Sequence, residues 1–220
     1  MTRGRALDER FTGRIAGFGT TAGPRIVIGM WQSSPFERFA DVMVEHPDGR
    51  RQLLAPTEAV ADYVSSTYSF DEVRVVDVRF GRVTGGLRVR VSDPAREDLV
   101  PGTGILDVRL SVGGLTPLGR LLRAVPARLA SEPRWLRAID PVATVLMPGV
   151  HTSGSAGGGR REYYGVTTIR ALTAVSGRWE GRDLGGIAPL DPPVRFGFGS
   201  APAAPSLVDL TTVIRSPSTP

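Results

Sequence analysis

Residues 106–112 alternate without a break. Leu106, Val108, Leu110 and Val112 fall on one side of an extended chain, and Asp107, Arg109 and Ser111 fall on the other. A period of two belongs to a β-strand with one buried and one wet face, the usual condition of antiparallel sheets. Leu87, Val89 and Val91 alternate with Arg88 and Arg90 in the same way. Short runs of this kind, separated by Gly, Pro and Asp, predict strands over 11–16, 25–31, 39–45, 52–55, 72–80, 87–91 and 105–112. Between two of them, His46-Pro47-Asp48-Gly49 signals a tight turn. Asp-Gly suits the positive φ angles of a two-residue hairpin, so a hairpin is expected over 39–55.

Pro56 and Thr57 open a helical stretch, 58–67, in which Val60, Tyr63, Val64 and Thr67 share the face laid on the sheet or over a barrel end. The pattern changes at 116–148, where Leu118, Leu121, Leu122, Val125 and Leu129 recur at helical spacing with arginines between them. Pro126, Pro133, Pro141 and Pro148 divide this segment into short helices, because an interior proline removes a backbone donor. A Gly/Ser-rich loop over 149–159 follows, then a strand over 162–175, turns over 177–193, and strands over 194–199 and 207–214. In the last of these, Val208, Leu210, Thr212 and Ile214 share a side.

The expected fold is mainly β, an antiparallel β-barrel or strongly curved sheet with the helical segment 116–148 inserted. Closure is the simplest way for many short strands to protect their edges. An open α+β sheet with helices on one face is the alternative. Residues 1–215 are expected to form one domain and 216–220 a frayed tail.

Composition removes several chemistries. All 27 basic residues are arginine, and lysine, cysteine and asparagine are absent from the 220 residues. Schiff-base catalysis, a pyridoxal-phosphate anchor and a lysine-bearing phosphate loop each need an amine that this chain does not carry. Thiol nucleophiles, disulfides and thiolate metal sites are excluded likewise. The joint loss of lysine and asparagine points to a GC-rich, bacterial genome rather than to selection for phosphate binding. Residues 118–137 hold five arginines against Glu132 alone, so +4 of the formal +5 lies there and the remainder is nearly neutral. No apolar run is long enough to span a bilayer. Residues 1–14 lack the apolar core and cleavage site of a secretory signal, which points to the cytoplasm.

The local motifs are incomplete. Gly17-Phe18-Gly19-Thr20-Thr21-Ala22 fits the dinucleotide spacing, but Gly23, Pro24 and a strand follow where a helix is required. Ser153-Gly154-Ser155-Ala156-Gly157 is one glycine short of a nucleophile elbow. With two histidines and no HExxH cluster, neither a metal site nor a cofactor is expected. His46 reads as an exposed turn residue, whereas His151 is the candidate for acid–base work, paired with Asp41 or Glu162. Gly157 and Gly158 with Arg160 and Arg161 could form an anion-binding concavity, although a plain flexible connection accounts for the same glycines.

Residues 31–41 gather Trp31, Phe36 and Phe39 in a predicted loop that ends at Asp41. Aromatic walls with a few convergent polar groups describe a small-molecule pocket, and equally a corner of an ordinary core. On a strand, Glu162 and Tyr164 share one face and Tyr163 takes the other. If that face points into a barrel, the ligand-binding candidates are Trp31, Phe36, Asp41 and Tyr164, with Glu162 beside them. The leading functional expectation is therefore a barrel that binds a small apolar or amphipathic ligand, with the helical segment as its lid. The alternatives are a cofactor-independent isomerase, cyclase or hydrolase, and a module that meets anionic membrane or an acidic partner through Arg120, Arg123 and Arg128. Nucleic-acid binding is disfavoured, since acids nearly balance arginines outside the helical segment.

Overall fold

A computed structural model describes residues 8–94, 104–126, 132, 135–136, 153–155, 159–197 and 202–216. Their strands form a single mixed sheet. Strands β1 (Asp8–Thr20), β2 (Arg25–Ser33), β3 (Phe39–Glu45) and β4 (Arg51–Ala55) run antiparallel in sequence order. On the other side of β1 lie β13 (Ser206–Arg215) and then β10 (Arg161–Trp179), β8 (Leu106–Leu115), β7 (Gly86–Ser92) and β6 (Asp77–Val83). Strand β5 (Glu72–Val75) is parallel to β4 at the far edge.

Those two edges are consecutive in sequence. Only Val76 separates β5 from β6, and its N–H donates to the Ala55 carbonyl. One extended segment thus serves β4 with its first half and β7 with its second, bringing the sheet to a nearly closed barrel. Short strands β9 (Ser153–Ser155), β11 (Arg182–Asp183) and β12 (Ile187–Ala188) add to β10, β10 and β1.

Alternation builds the core. Ile26, Ile28 and Met30 of β2, Ala40, Val42 and Val44 of β3, Val89 and Val91 of β7, and Leu106, Val108 and Leu110 of β8 meet in one fully buried cluster. Leu54, Leu172, Val175 and Leu207 join it from the remaining sides, so the space enclosed by the ring is filled with side chains. On the wet face of the β7–β8 pair, Arg88 forms a two-pronged ion pair with Asp107. Burial of this apolar set is the main force that holds the ring shut.

The 39–55 hairpin forms, but not with a two-residue turn. His46 N–H donates to the Arg50 carbonyl and Gly49 N–H to His46, with Gly49 alone at positive φ (86°) in a longer loop. The expected strand 72–80 is divided at Val76. Most of the aromatic segment 31–41 is strand, with a loop only between Ser33 and Phe39. Residues 194–197 of the expected strand 194–199 are irregular; their polar backbone is tied to Glu45 and to the segment after α1 instead of to a ladder.

Helix α1 (Glu58–Ser65) begins where expected. The Thr57 side chain caps it by accepting from Val60 N–H, and Glu58 sits favourably in the first turn. Its buried residues Val60, Ala61 and Val64 pack on Leu53 and Ala55 of β4. Helix α2 (Pro117–Leu122) starts at a Thr116 cap and lays Leu118 and Leu122 against Ile169 and Leu210. Most of segment 116–148 lies outside the described residues.

Candidate functional site

Strands that meet in the core on one face leave their intervening residues on the other. Across β1, β2, β3, β13 and β10 that second face carries Phe11, Trp31, Phe39, Asp41, Glu162, Tyr164, Thr212 and Ile214. Tyr63 and Val64 of α1, Thr67 and Tyr68 after it, and Val194, Phe196 and Gly197 complete a cavity of about 90 Å³ over this floor. The pocket therefore lies on the face opposite the packed ring interior, not inside the barrel. Its roof is α1 and 194–197, and no described residue of α2 lines it. The expectation of an inward-facing site is corrected; most of the segment 116–148, the expected lid, lies outside the described residues.

The walls are aromatic. The Phe11 ring lies 5.6 Å from Trp31, 6.5 Å from Phe39 and 5.4 Å from Tyr63, mixing edge-on and tilted packing. Phe36 stands behind this wall, 5.1 Å from the Tyr63 ring, and supports the pocket without lining it.

Two buried carboxyl groups face the cavity. Asp41 is 2% exposed and accepts a 3.0 Å hydrogen bond at Oδ1 from Trp31 Nε1. Burial pushes its carboxyl up to about 6 from an ordinary 3.8, with the Trp31 bond holding it back. Gly29, directly opposite Asp41 in the β2–β3 register, makes this pair possible. A Cβ there would lie 2.4 Å from Asp41 Oδ1 and 2.7 Å from Trp31 Nε1.

Glu162, also 2% exposed, accepts from the Tyr68 hydroxyl at 2.9 Å and 3.1 Å through its two oxygens. Tyr68 and Tyr164 hydroxyls are 2.7 Å apart. Burial raises the Glu162 carboxyl, while the Tyr164 and Tyr68 hydrogen bonds and the charge of Arg160 oppose the shift. The Tyr68 phenol is held protonated by its own burial and the neighbouring oxygens. Beside this trio, the Thr212 hydroxyl is buried and finds no hydrogen-bond partner among the described residues.

Of the residues singled out in the sequence, the cavity brings together Trp31, Asp41, Glu162 and Tyr164. Tyr163 takes the opposite face, as alternation requires, against Leu136 and Val213. His151, Gly157, Gly158 and Arg128 lie outside the described residues. Arg160 donates to Ser66 Oγ at 2.6 Å and lies over the Tyr63 ring, while Arg161 is exposed. Arg120 and Arg123 are exposed on and just after α2.

His46 is not an exposed turn residue. It is 7% exposed, 3.2 Å from Gln52 Oε1 through Nε2, and packs edge-on against Trp179. Gly17-Phe18-Gly19 runs straight through β1 with no helix after it, and Ser153 pairs with Tyr163 in a ladder.

Sequence reasoning missed Phe11, Tyr63, Tyr68, Phe196 and the unpaired role of Thr212 in this site. Only Thr212 left a usable signal, a lone hydroxyl on an otherwise apolar strand face. Among the described residues, no group of His, Asp or Glu is placed to hold a metal ion, and no helix is long and apolar enough to cross a membrane.

The chain is similar in fold to acetoacetate decarboxylase from Legionella pneumophila subsp. pneumophila str. Philadelphia 1, with 8% identity and a TM-score of 0.44 over 100% of this chain and 89% of that chain. A second acetoacetate decarboxylase structure is matched at 10% identity and a TM-score of 0.39, over 96% of this chain and 88% of that one. No protein-family model and no curated protein matches the chain significantly.

Proposed function

We propose that the protein binds a small, largely apolar molecule with one polar end, in the cavity roofed by α1. The observation that carries this reading is the make-up of the lining: an aromatic and aliphatic wall interrupted by Asp41, by Glu162 with its tyrosines, and by the unpaired Thr212 hydroxyl. Apolar shape with a few fixed polar groups is the usual chemistry of a small-ligand site. A buried hydroxyl without a partner costs free energy that a ligand atom would recover.

A thermal-shift and native mass-spectrometry screen of small apolar molecules tests this reading. Stabilising compounds are expected for the unmodified chain and not for Val27→Phe, which fills the cavity from its floor. A screen of neutral, cationic and anionic probes without one stabilising compound refutes it.

One observation favours a catalytic extension: a carboxyl pushed to about 6 exchanges its proton near neutrality, where a general acid or base is most effective. Asp41 is then the acid–base group, and the lysine-free sequence leaves no covalent amine chemistry. Incubation with a stabilising compound decides the point. A new product supports turnover, and unchanged recovery supports binding alone.

A further inference from the structure

We infer that the polar end of the ligand is a primary ammonium group, held at Asp41 against the Trp31–Phe39 wall. This rests on the cavity being a ligand site, as proposed above, and adds the chemical class of its occupant.

Three observations converge. First, the lining among the described residues contains two acidic side chains and no arginine, although arginine supplies every basic side chain outside histidine. A buried carboxylate without a counter-ion is costly, and a bound cation would offset that cost directly. Arg160 does not fill the role at Asp41. It is held by Ser66 and the Tyr63 ring, and its charge reaches Glu162.

Second, Asp41 accepts from the Trp31 ring N–H and its own backbone N–H and has no cation beside it among the described residues, whereas Glu162 is met by the Tyr68 and Tyr164 hydroxyls and by the charge of Arg160. Asp41 thus keeps acceptor capacity for a donor from the cavity. An ammonium offers three donors and no acceptor. An anionic ligand would face two carboxyl groups.

Third, the Thr212 hydroxyl of the same lining is buried and has no partner among the described residues, a polar group for a bound molecule to serve. Rings flank the position. Trp31 lies 5.6 Å from Phe11 and 6.4 Å from Phe39, and aromatic faces attract a desolvated cation.

Three probes of matched size isolate the head group: 2-phenylethylammonium, 2-phenylethanol and phenylacetate, titrated calorimetrically into the full chain at pH 7. The ammonium is expected to bind at least tenfold more tightly than the alcohol, with phenylacetate weakest. Asp41→Asn keeps the volume and the acceptor for Trp31. It should bring the ammonium down to the level of the alcohol, and Glu162→Gln should keep most of the preference.

If the alcohol binds as tightly as the ammonium, or D41N retains the preference, the ammonium assignment is overturned and the ligand site stands. If none of the three binds, the ammonium assignment is overturned, and the ligand site itself falls only if the wider screen finds no stabilising compound.

Discussion

Asp41 ties the cavity to a measurable property of folding, because a carboxyl enclosed in an apolar site must be more stable protonated than ionised. In the unfolded chain it titrates near 3.8, and in the folded protein near 6. Between these values the folded state binds more protons than the unfolded state. Stability is therefore highest below the unfolded value and falls as pH rises through the folded one. At about 1.4 kcal/mol per pH unit, the full loss is roughly 3 kcal/mol.

Asp41→Asn removes the titration while keeping an oxygen for the Trp31 N–H. Urea denaturation of both proteins from pH 4 to pH 7 should show D41N gaining on the unmodified chain by roughly 2.4 kcal/mol across the window. Glu162, Tyr63, Tyr68 and Tyr164, the other titratable groups lining the cavity, are common to both proteins and cancel in the difference. A difference that stays flat with pH would show that water reaches Asp41 freely. The desolvated site, and the reasoning built on it, would then be wrong.

Other perturbations test neighbouring parts. Gly29→Ala should cost about 1–3 kcal/mol in denaturant unfolding, since its Cβ drives Asp41 and Trp31 apart, and should alter tryptophan fluorescence. Glu45 is fully buried and accepts from Arg25, from Arg195 Nε and from the Arg195 N–H. Glu45→Ala should cost roughly 3–5 kcal/mol, because it leaves the Arg25 side chain, 11% exposed, without its carboxylate, and should hasten amide exchange at Arg195 in the cavity roof. Tyr68→Phe strips Glu162 of a donor to its ionised form, so carbon NMR should show Glu162 titrating at higher pH. The stability loss should be about 1–2 kcal/mol.

The strands were legible because one-sided burial imposes alternation. Phe39–Glu45 matches its expected limits, and Glu162 and Tyr164 share a face as their spacing requires. Alternation says which residues travel together. It does not say which face turns inward, and so the pocket was expected inside a ring that Met30, Val42, Val89 and Val108 in fact fill. His46 looked exposed because its local sequence is a turn; Trp179, far along the chain, covers it. Tyr68 meets Glu162 across 94 positions, and no local pattern carries such a contact. Residues 194–197 resemble a strand in composition, but their hydrogen bonds go to Glu45 and Ser69.

The single segment that joins the two edges of the sheet also dictates an order of assembly. Because β5 runs into β6, the ring is fastened on that side by neighbouring residues, and β1 to β8 can pair largely in sequence. The other seam is non-local: β1 must find β13, with Asp8 and Arg215 separated by 207 positions. Pairings of such reach are slow, since loop entropy is lost before any contact is gained. The cavity floor straddles this late seam, with Phe11 and Asp41 on one side and Glu162 and Thr212 on the other. A ligand therefore has no half-built site to enter, and whatever binds there acts as a clasp on the last ladder to form.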